Sequence, residues 1–589
     1  MIPRMKELQE ISAEHPVSGA EALIRALLAE GVDTVFGYPG GQILPVYDAL
    51  YDFTDRLNHI LVRHEQGATH AAEGYARATG RPGVVIVTSG PGATNVITGL
   101  SDAMSDSTPM VVITGQVGAQ YLGSDAFQET DVIGITQPVT KWSLQVRRAE
   151  DINDAVARAF YIASSGRPGP VVLDISRDAQ VGNVTEPYRK VEFIRSYNPD
   201  PEIQADKIAE AASILNSAER PLFLIGQGVT ISGAEVLVRE LAEKASLPVG
   251  STLLGLSAMP SDHPLFKGML GMHGNLGLNY NTNRADVIFA VGMRFDDRVT
   301  GVVSQYAPHA RIVHVDIDPS EFEKTVPVAL AVHGDARKVL AQLLPLVEER
   351  PAESRREWLA SFDAADAVEQ REVMEHELHR KGDAPMTMGE VVAAVSEAAG
   401  HDAIGVTDVG QNQMMTARYL KYRRGRSFIS SGGLGTMGFG LPAAIGAKVG
   451  CPDRTVCCFL GDGGFQMTVQ ELGTIMQYGI GVKIVLLNNN FLGNVRQWQN
   501  LFYQRRFSQT PMVNPDFVAI AAAYGIPGEN VAHRRHLQAA IGRMMAAEGA
   551  YLLNIDIDPT DMVFPMIAPG QPVDSVMLNA ALRFNPKML

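Results

Sequence analysis

The sequence predicts an α/β protein built from three doubly wound parallel-sheet domains, and three observations carry this. Short apolar runs such as Val456-Cys457-Cys458-Phe459-Leu460 and Val482-Lys483-Ile484-Val485-Leu486-Leu487 end in small or polar residues, the pattern of strands buried on both faces. These runs alternate with stretches of helical period. The 589 residues exceed one core and are interrupted by a proline-containing stretch and a charged one. The expected domains are 1–185, 201–348 and 386–589, with linkers at 186–200 and 349–385.

In the first domain, residues 17–29 read as a helix capped by Ser18, with Glu21 at the capping-box position. Strands follow at 33–37, 59–63, 84–88, 110–115 and 171–175, with a helix at 69–79. The strand at 59–63 ends in His64-Glu65-Gln66. The stretch from 178 to 201 has little periodicity and reads as a linker. The second domain opens with Pro221-Leu222-Phe223-Leu224-Ile225, running into Gly226-Gln227-Gly228. Further strands are expected at 248–252, 287–291 and 312–318. Residues 350–381 are charged, with Trp358, Leu359, Phe362 and Val368 widely spaced, and read as a solvated helical linker. The third domain opens with a helix at 386–399 and is similar in layout to the first.

Composition narrows the function classes. A hydrophobic content of 46% and a charged content of 20% describe an ordinary soluble protein. A net charge of −15 argues against a nucleic-acid partner. No run of 18 apolar residues suggests a membrane span. The start, with Arg4, Lys6, Glu7, Glu10 and Glu14, lacks the pattern of a signal or transit peptide. Cys451, Cys457 and Cys458 read as free thiols in a reducing cytoplasm.

The chemistry centres on Gly461-Asp462-Gly463-Gly464 and Asn488-Asn489. Between them, 465–480 reads as a helix with Met467, Val469, Leu472, Ile475 and Met476 on one face. Strand, helix and strand place Asp462 and Asn489 just past the carboxyl ends of neighbouring strands, where open α/β sheets bind ligands. One charged and one neutral oxygen suit Mg²⁺, which takes its remaining ligands from water and phosphate. Flanking glycines let backbone approach a diphosphate. Gly-Asp-Gly alone is a turn after a strand; with Asn-Asn at the next strand end it resembles the thiamine-diphosphate motif. Glu65, otherwise a carboxylate paired with Arg63 or His64, then takes on meaning. A carboxyl held against the cofactor aminopyrimidine drives its amino group into the imino form, which removes the thiazolium C2 proton.

Nearly the whole chain, from Gly19 to about Gly570, resembles the large catalytic subunits of acetohydroxyacid (acetolactate) synthases. The carrying segments are Phe36-Gly37-Tyr38-Pro39-Gly40-Gly41, Arg63-His64-Glu65-Gln66-Gly67-Ala68, Thr88-Ser89-Gly90-Pro91-Gly92-Ala93-Thr94-Asn95, Gly123-Ser124-Asp125-Ala126-Phe127-Gln128-Glu129-Thr130, Arg294-Phe295-Asp296-Asp297-Arg298, Gly432-Gly433-Leu434-Gly435-Thr436-Met437-Gly438 and Leu492-Gly493-Asn494-Val495-Arg496-Gln497-Trp498. The resemblance implies an aminopyrimidine-binding, a central FAD-binding and a diphosphate-binding domain. It makes Glu65 the cofactor-activating glutamate, with Gln128 and Lys141 as further catalytic residues. Thiamine diphosphate would meet Gly40, Ser107, Gln411, Asn412, Gly435, Met437, Asp462, Gly463, Gly464, Asn489, Gly493 and Asn494. Mg²⁺ would be held by Asp462, Asn489 and the Phe491 carbonyl. A structural, non-redox FAD would lie against Arg167, Gly226, Thr252, Leu253, His273, Gly292, Arg294, Asp296, Asp316, Ile317 and Asp335. The 2-ketoacid pocket would use Phe127, Asp297, Arg298 and Trp498, a guanidinium for the carboxylate and a flat apolar wall favouring ethyl over methyl.

The implied reaction decarboxylates pyruvate on thiamine diphosphate. The hydroxyethyl carbanion then condenses with a second pyruvate or with 2-ketobutyrate, giving 2-acetolactate or 2-aceto-2-hydroxybutyrate for branched-chain amino acids. A homodimer or homotetramer with sites between chains is implied, and the family admits a small regulatory subunit. Three departures from the common pattern stand out: Asn494 for Met, Asn412 for His, and Ser176-Arg177 for Pro-Lys. Glyoxylate carboligase, with an apolar residue in place of Glu65, is the nearest enzyme rival. A catalytically silent flavoprotein on the same scaffold is the other, and intact Glu65, Asp462 and Asn489 weigh against it.

Overall fold

The structure, a computed structural model, describes residues 10–380, 382 and 384–589. The start of the chain to residue 9, and Lys381 and Asp383 of the expected 349–385 linker, lie outside the described residues.

Three six-stranded sheets form the frame. The first contains β1 (Thr34–Tyr38), β2 (Asn58–Leu61), β3 (Gly83–Val87), β4 (Met110–Gln116), β5 (Trp142–Val146) and β6 (Pro170–Ser176), in the order β2-β1-β3-β4-β6-β5. The central sheet contains β7 (Pro221–Ile225), β8 (Val249–Ser251), β9 (Phe266–Met269), β10 (Val287–Val291), β11 (Arg311–Asp316) and β12 (Leu330–His333), in the order β9-β8-β7-β10-β11-β12. The third contains β13 (Ile404–Thr407), β14 (Phe428–Ile429), β15 (Val456–Gly461), β16 (Val482–Asn488), β17 (Gly528–Val531) and β18 (Tyr551–Asp556), in the order β14-β13-β15-β16-β18-β17. Each is a parallel sheet, as the unbroken apolar runs predict. The first and third sheets share one strand order, the similarity of layout expected from the sequence.

Strand order fixes where ligands can enter. In the third sheet the winding reverses between β13 and β15, and in the central sheet between β7 and β10. Helices leave such strands toward opposite faces and open a crevice at the carboxyl ends. The central order is the one by which dinucleotide-binding sheets are known.

The chain divides into two compact units. One gathers the first sheet with 431–453 and 467–482; the other holds the central and third sheets. In the first unit, the helices Glu65–Thr79 and Gly440–Gly450 lie in close contact. A Cβ on Gly74 would fall 1.9 Å from the Ala443 carbonyl oxygen, and one on Gly446 would fall 1.7 Å from that of Ala71. Only glycine allows the backbones to approach this closely.

Several expectations need correction. The helix Arg356–Glu369 is no solvated linker. Trp358 and Phe362 are buried, and Trp358 Nε1 donates to the Pro221 carbonyl at 2.8 Å. Glu369 is also buried, pairing with Arg418 and accepting from the Leu276 amide at 2.5 Å. The stretch after 178 is not featureless: Asn183–Val184 pairs antiparallel with Val17–Ser18. The helix expected over 465–480 breaks at Thr468 into Asp462–Met467 and Leu472–Tyr478. The break turns Met467 and Met476 to solvent and leaves Phe465, Leu472 and Ile475 buried. Glu65 opens a helix rather than ending a strand, because His64 Nδ1 accepts from the Gln66 amide at 3.1 Å and caps it. The helix capped by Ser18, Gly19–Ala29, forms as expected, with the Glu21 amide 3.1 Å from Ser18 Oγ.

Candidate active site

The third sheet's crevice is built from residues far apart in sequence. β15 ends at Gly461 and Asp462 is the first residue of the next helix, with 1% of its surface exposed. Burial pushes the Asp462 carboxyl above the ordinary range, and the Asn514 side chain, donating to Oδ2 at 2.6 Å, pulls it back. The neighbouring strand β16 ends at Asn488. Asn489 is buried; its Oδ1 accepts from the Phe491 amide at 3.1 Å and its Nδ2 donates to Gln411 Oε1 at 3.3 Å. Gln411 is held in turn, donating to Gln497 Oε1 at 3.0 Å and to the Asp561 carbonyl at 2.9 Å.

Glycine makes the crowding possible. A Cβ on Gly493 would lie 2.1 Å from Gln411 Oε1, and one on Gly464 would lie 2.2 Å from Asp408 Oδ1. The helices Gln411–Tyr419 and Gly493–Phe502 both begin here, so free backbone amides of two first turns are available to an anion. The side-chain oxygens of Asn412 and Asn494 are inaccessible to water and have no hydrogen-bond partner. A buried carboxylate, a cluster of amide oxygens, unmatched polar atoms and glycine-opened backbone are the donor chemistry that Mg²⁺ and a diphosphate require. These residues fit both groups.

The central crevice lies at the β7–β10 switch. A Cβ on Gly226 would come within 2.3 Å of the Gly292 carbonyl oxygen, and one on Gly228 within 2.6 Å of Gly292 Cα. The two turns therefore meet backbone against backbone, as a dinucleotide fold needs. Many of the polar residues around it are occupied by their own chain. Thr252 Oγ1 caps the turn Leu253–Gly255, Asp335 caps Ala336–Leu343, and Asp296 accepts from the amides of Arg298 and Val299. Asp316 Oδ1 accepts from the Asp318 amide at 2.9 Å, and the Ile317 carbonyl accepts from His333 Nε2 at 3.1 Å. His273 is buried beside the Pro565 carbonyl, and burial pushes its pKa down to about 4, leaving the ring neutral at pH 7. Arg294 is half-buried, while Asp297 and Arg298 are exposed neighbours, 3.8 Å apart. Trp498, on the helix Gly493–Phe502, is half-buried and packs edge-on against Phe502. The glycine-opened switch point fits a flavin dinucleotide.

In the other unit, Glu65 Oε2 accepts from Asn95 Nδ2 at 2.9 Å. Arg63, the partner suggested by proximity in sequence, instead donates to the Gly473 carbonyl and to Gln477. A Cβ on Gly40 would meet Thr88 at 2.5 Å. Arg167 Nε donates to Ser107 Oγ at 2.9 Å. Lys141 Nζ is held by the carbonyls of Ile162 and Ser165 and by Tyr197. Gly435 and Gly438 have φ of +73° and +89°, so the backbone around Met437 takes a course that L side chains disfavour. Phe127 is 84% exposed, and Gln128 beside it has φ +61°. Glu129 gathers their loop by accepting from the amides of Gly123 and Ala126.

Asn514 and Gln466, which hold the candidate ligands, carry no sequence signal that singles them out, and Gln497 stands in the 492–498 segment without an assigned role. Asn514-Pro515-Asp516 carries only a turn-and-cap signal.

Comparison with known proteins agrees with this geometry. Residues 17–135 match the thiamine pyrophosphate enzyme N-terminal TPP binding domain, 208–343 the central domain and 408–555 the C-terminal TPP binding domain. The chain is 45% identical to the acetolactate synthase isozyme 2 large subunit of Escherichia coli (strain K12) over 561 residues, covering 94% of this chain and 98% of that one. It is 42% identical to the isozyme 3 large subunit of the same organism over 582 residues, covering 96% and 99%. A probable acetolactate synthase large subunit of Methanocaldococcus jannaschii is 43% identical over 583 residues, covering 97% of each chain. With three matching domains in order and this identity along nearly its whole length, the chain belongs to the thiamine-pyrophosphate enzymes and, among them, to the acetolactate synthase large-subunit family.

Proposed function

We propose that this protein is an acetolactate synthase. It decarboxylates pyruvate and joins the remaining two-carbon unit to a second pyruvate or to 2-ketobutyrate, an early step of branched-chain amino-acid synthesis. The observation that carries the reading is the buried Asp462–Asn489 centre at the third sheet's switch point, in a chain of this family.

Thiamine diphosphate, when bound, supplies the electron sink for the two-carbon unit left by decarboxylation. The chain's own residues do the rest. Asp462, Asn489 and the Phe491 carbonyl hold Mg²⁺, with the first turns at Gln411 and Gly493 facing the diphosphate. Glu65 holds a proton at the aminopyrimidine nitrogen, and its hydrogen bond from Asn95 orients the carboxyl. Met437 would lie against the cofactor, and Gly40 and Gly435 would leave it room. Arg298 takes the carboxylate of the second ketoacid and Trp498 walls its alkyl group. Phe127, Gln128 and Lys141 line the reacting end. FAD fills the central crevice as a structural group, and its place there is supported by the glycine contacts of Gly226 and Gly228 with Gly292.

We infer a homodimer as the minimum assembly, on the resemblance to a family whose active sites form between two chains. The relatives are named large subunits, which supports a small regulatory partner for this chain. No helix among the described residues is long and apolar enough to cross a membrane.

The test is product analysis. Protein supplied with pyruvate, Mg²⁺, thiamine diphosphate and FAD is expected to release acetolactate, read as acetoin after acid. Absence of acetolactate from folded, cofactor-loaded protein refutes the reading, and glyoxylate is the next substrate to try.

A further inference from the structure

Asn514 lies beyond every sequence segment assigned to the site, yet its side chain sits at the centre of the Asp462 crevice. Its Nδ2 is 2.6 Å from Asp462 Oδ2, 3.0 Å from Asn488 Oδ1 and 3.2 Å from Asn490 Oδ1. An amide nitrogen carries two protons, so three acceptors compete for it, and the carboxylate is the nearest. Its Oδ1 accepts from Gln466 Nε2 at 3.0 Å, and the same nitrogen of Gln466 lies 3.2 Å from the Asp462 carbonyl oxygen. Gln466 therefore sets which face of the Asn514 amide meets the carboxylate.

The segment that carries Asn514 is fastened along the loop bearing Asn489 and Phe491. The Leu492 amide donates to the Thr510 carbonyl at 3.0 Å and the Met512 amide donates to the Asn490 carbonyl at 2.9 Å. Phe491 and Pro511 form an antiparallel bridge. The Arg496 guanidinium lies 4.8 Å from the ring centres of both Phe491 and Phe507, closing the other end. Residues 507–514 thus form a strap across the 488–492 loop, and Asn514 is the point at which the strap reaches Asp462.

We propose that Asn514 is a positioning residue for the metal centre: it locks the Asp462 carboxylate and the 488–491 loop into one arrangement that captures a hard divalent cation. The inference rests on the proposed thiamine-diphosphate function. Outer groups that hold metal ligands change metal affinity by about 10- to 100-fold when removed. The role predicts a defect in capturing Mg²⁺ that excess Mg²⁺ corrects.

The experiment measures thiamine-diphosphate binding to the full-length protein by quenching of tryptophan fluorescence across a Mg²⁺ titration, with flavin content read in parallel. Asn514→Ala is expected to raise the half-saturating Mg²⁺ concentration about tenfold, leave flavin content unchanged, and recover kcat at saturating Mg²⁺. Gln466→Leu, which keeps Asn514 but removes its orienting partner, is expected to raise it by a smaller factor and covers the case in which Asn514→Ala does not fold. A half-saturating Mg²⁺ concentration unchanged in both folded variants overturns the inference. A loss of kcat that Mg²⁺ does not restore also overturns it, since that marks a merely structural role. Wild-type protein that fails to bind thiamine diphosphate with Mg²⁺ overturns the functional reading and the inference with it.

Discussion

The Glu65 carboxylate accepts a hydrogen bond from Asn95 at 2.9 Å, across 30 residues of chain. Helix capping by His64 sets Glu65 at the start of its helix, and Asn95 orients its carboxyl. Glu65→Gln keeps the shape and removes the acid. Acetolactate formation is expected to fall about 10²- to 10⁴-fold, the worth of positioned proton transfer, with thiamine-diphosphate binding largely retained. Asn95→Ala, which leaves the acid but not its orientation, is expected to cost far less. Steady-state kinetics with cofactor titration checks both.

The turns of the central crevice touch through glycine. In Gly226→Ala the new methyl would sit 2.3 Å from a backbone oxygen of Gly292, which has no side-chain freedom with which to give way. The purified variant is expected to hold well under half the flavin of the wild type while the third sheet still binds thiamine diphosphate. Flavin absorbance per chain measures it. Full flavin occupancy contradicts the assignment of that crevice.

Trp498 is half-buried on the helix that starts at Gly493. If it walls the alkyl group of the second substrate, Trp498→Leu lowers the preference for 2-ketobutyrate over pyruvate by about tenfold, as the burial of one methylene allows. Competition between the two ketoacids, read as the product ratio, decides it.

The helix Arg356–Glu369 is packed into the core of the unit that contains the central sheet. Phe362 has no exposed surface, so Phe362→Ala is expected to cost about 3–5 kcal/mol. A solvated linker would lose almost nothing. Denaturant unfolding of wild type and variant separates the two.

Asp102 is buried in a cluster with His70, Glu73, Arg77, Asp106 and Ser431. Burial, with the charges of Glu73 and Asp106 added, pushes its pKa from 3.8 up to about 8. A carboxyl whose folded pKa lies above its unfolded value stabilises the fold fully below the unfolded pKa, and that stability is lost as pH rises through the folded pKa. The melting temperature is therefore expected to fall between about pH 4 and 8 and to level off above that, and Asp102→Asn is expected to flatten the fall. Calorimetry across this range tests it.

Much of the fold was legible in local pattern. Apolar runs such as 456–460 and 482–487 mark buried parallel strands whatever surrounds them, and their polar ends place Asp462 and Asn489 at strand termini. No counterpart to β5, β9 and β12, nor to β13, β14, β17 and β18 of the third sheet, is read from the sequence; the shortest of these carry weak local signals and take their place from pairing beside a stronger neighbour.

By itself, the sequence determined the α/β class, the strand-end positions of Asp462 and Asn489, the glycine turns and the family. Each of these is written in residue types and short spacings. Only the tertiary structure decided that Asn95 meets Glu65, that Asn514 meets Asp462, and that Trp358 and Phe362 are buried rather than solvated. The reason is physical. A hydrogen bond across 30 or 52 residues, or the covering of a helix face, depends on how sheets and helices stack, and no local period encodes that.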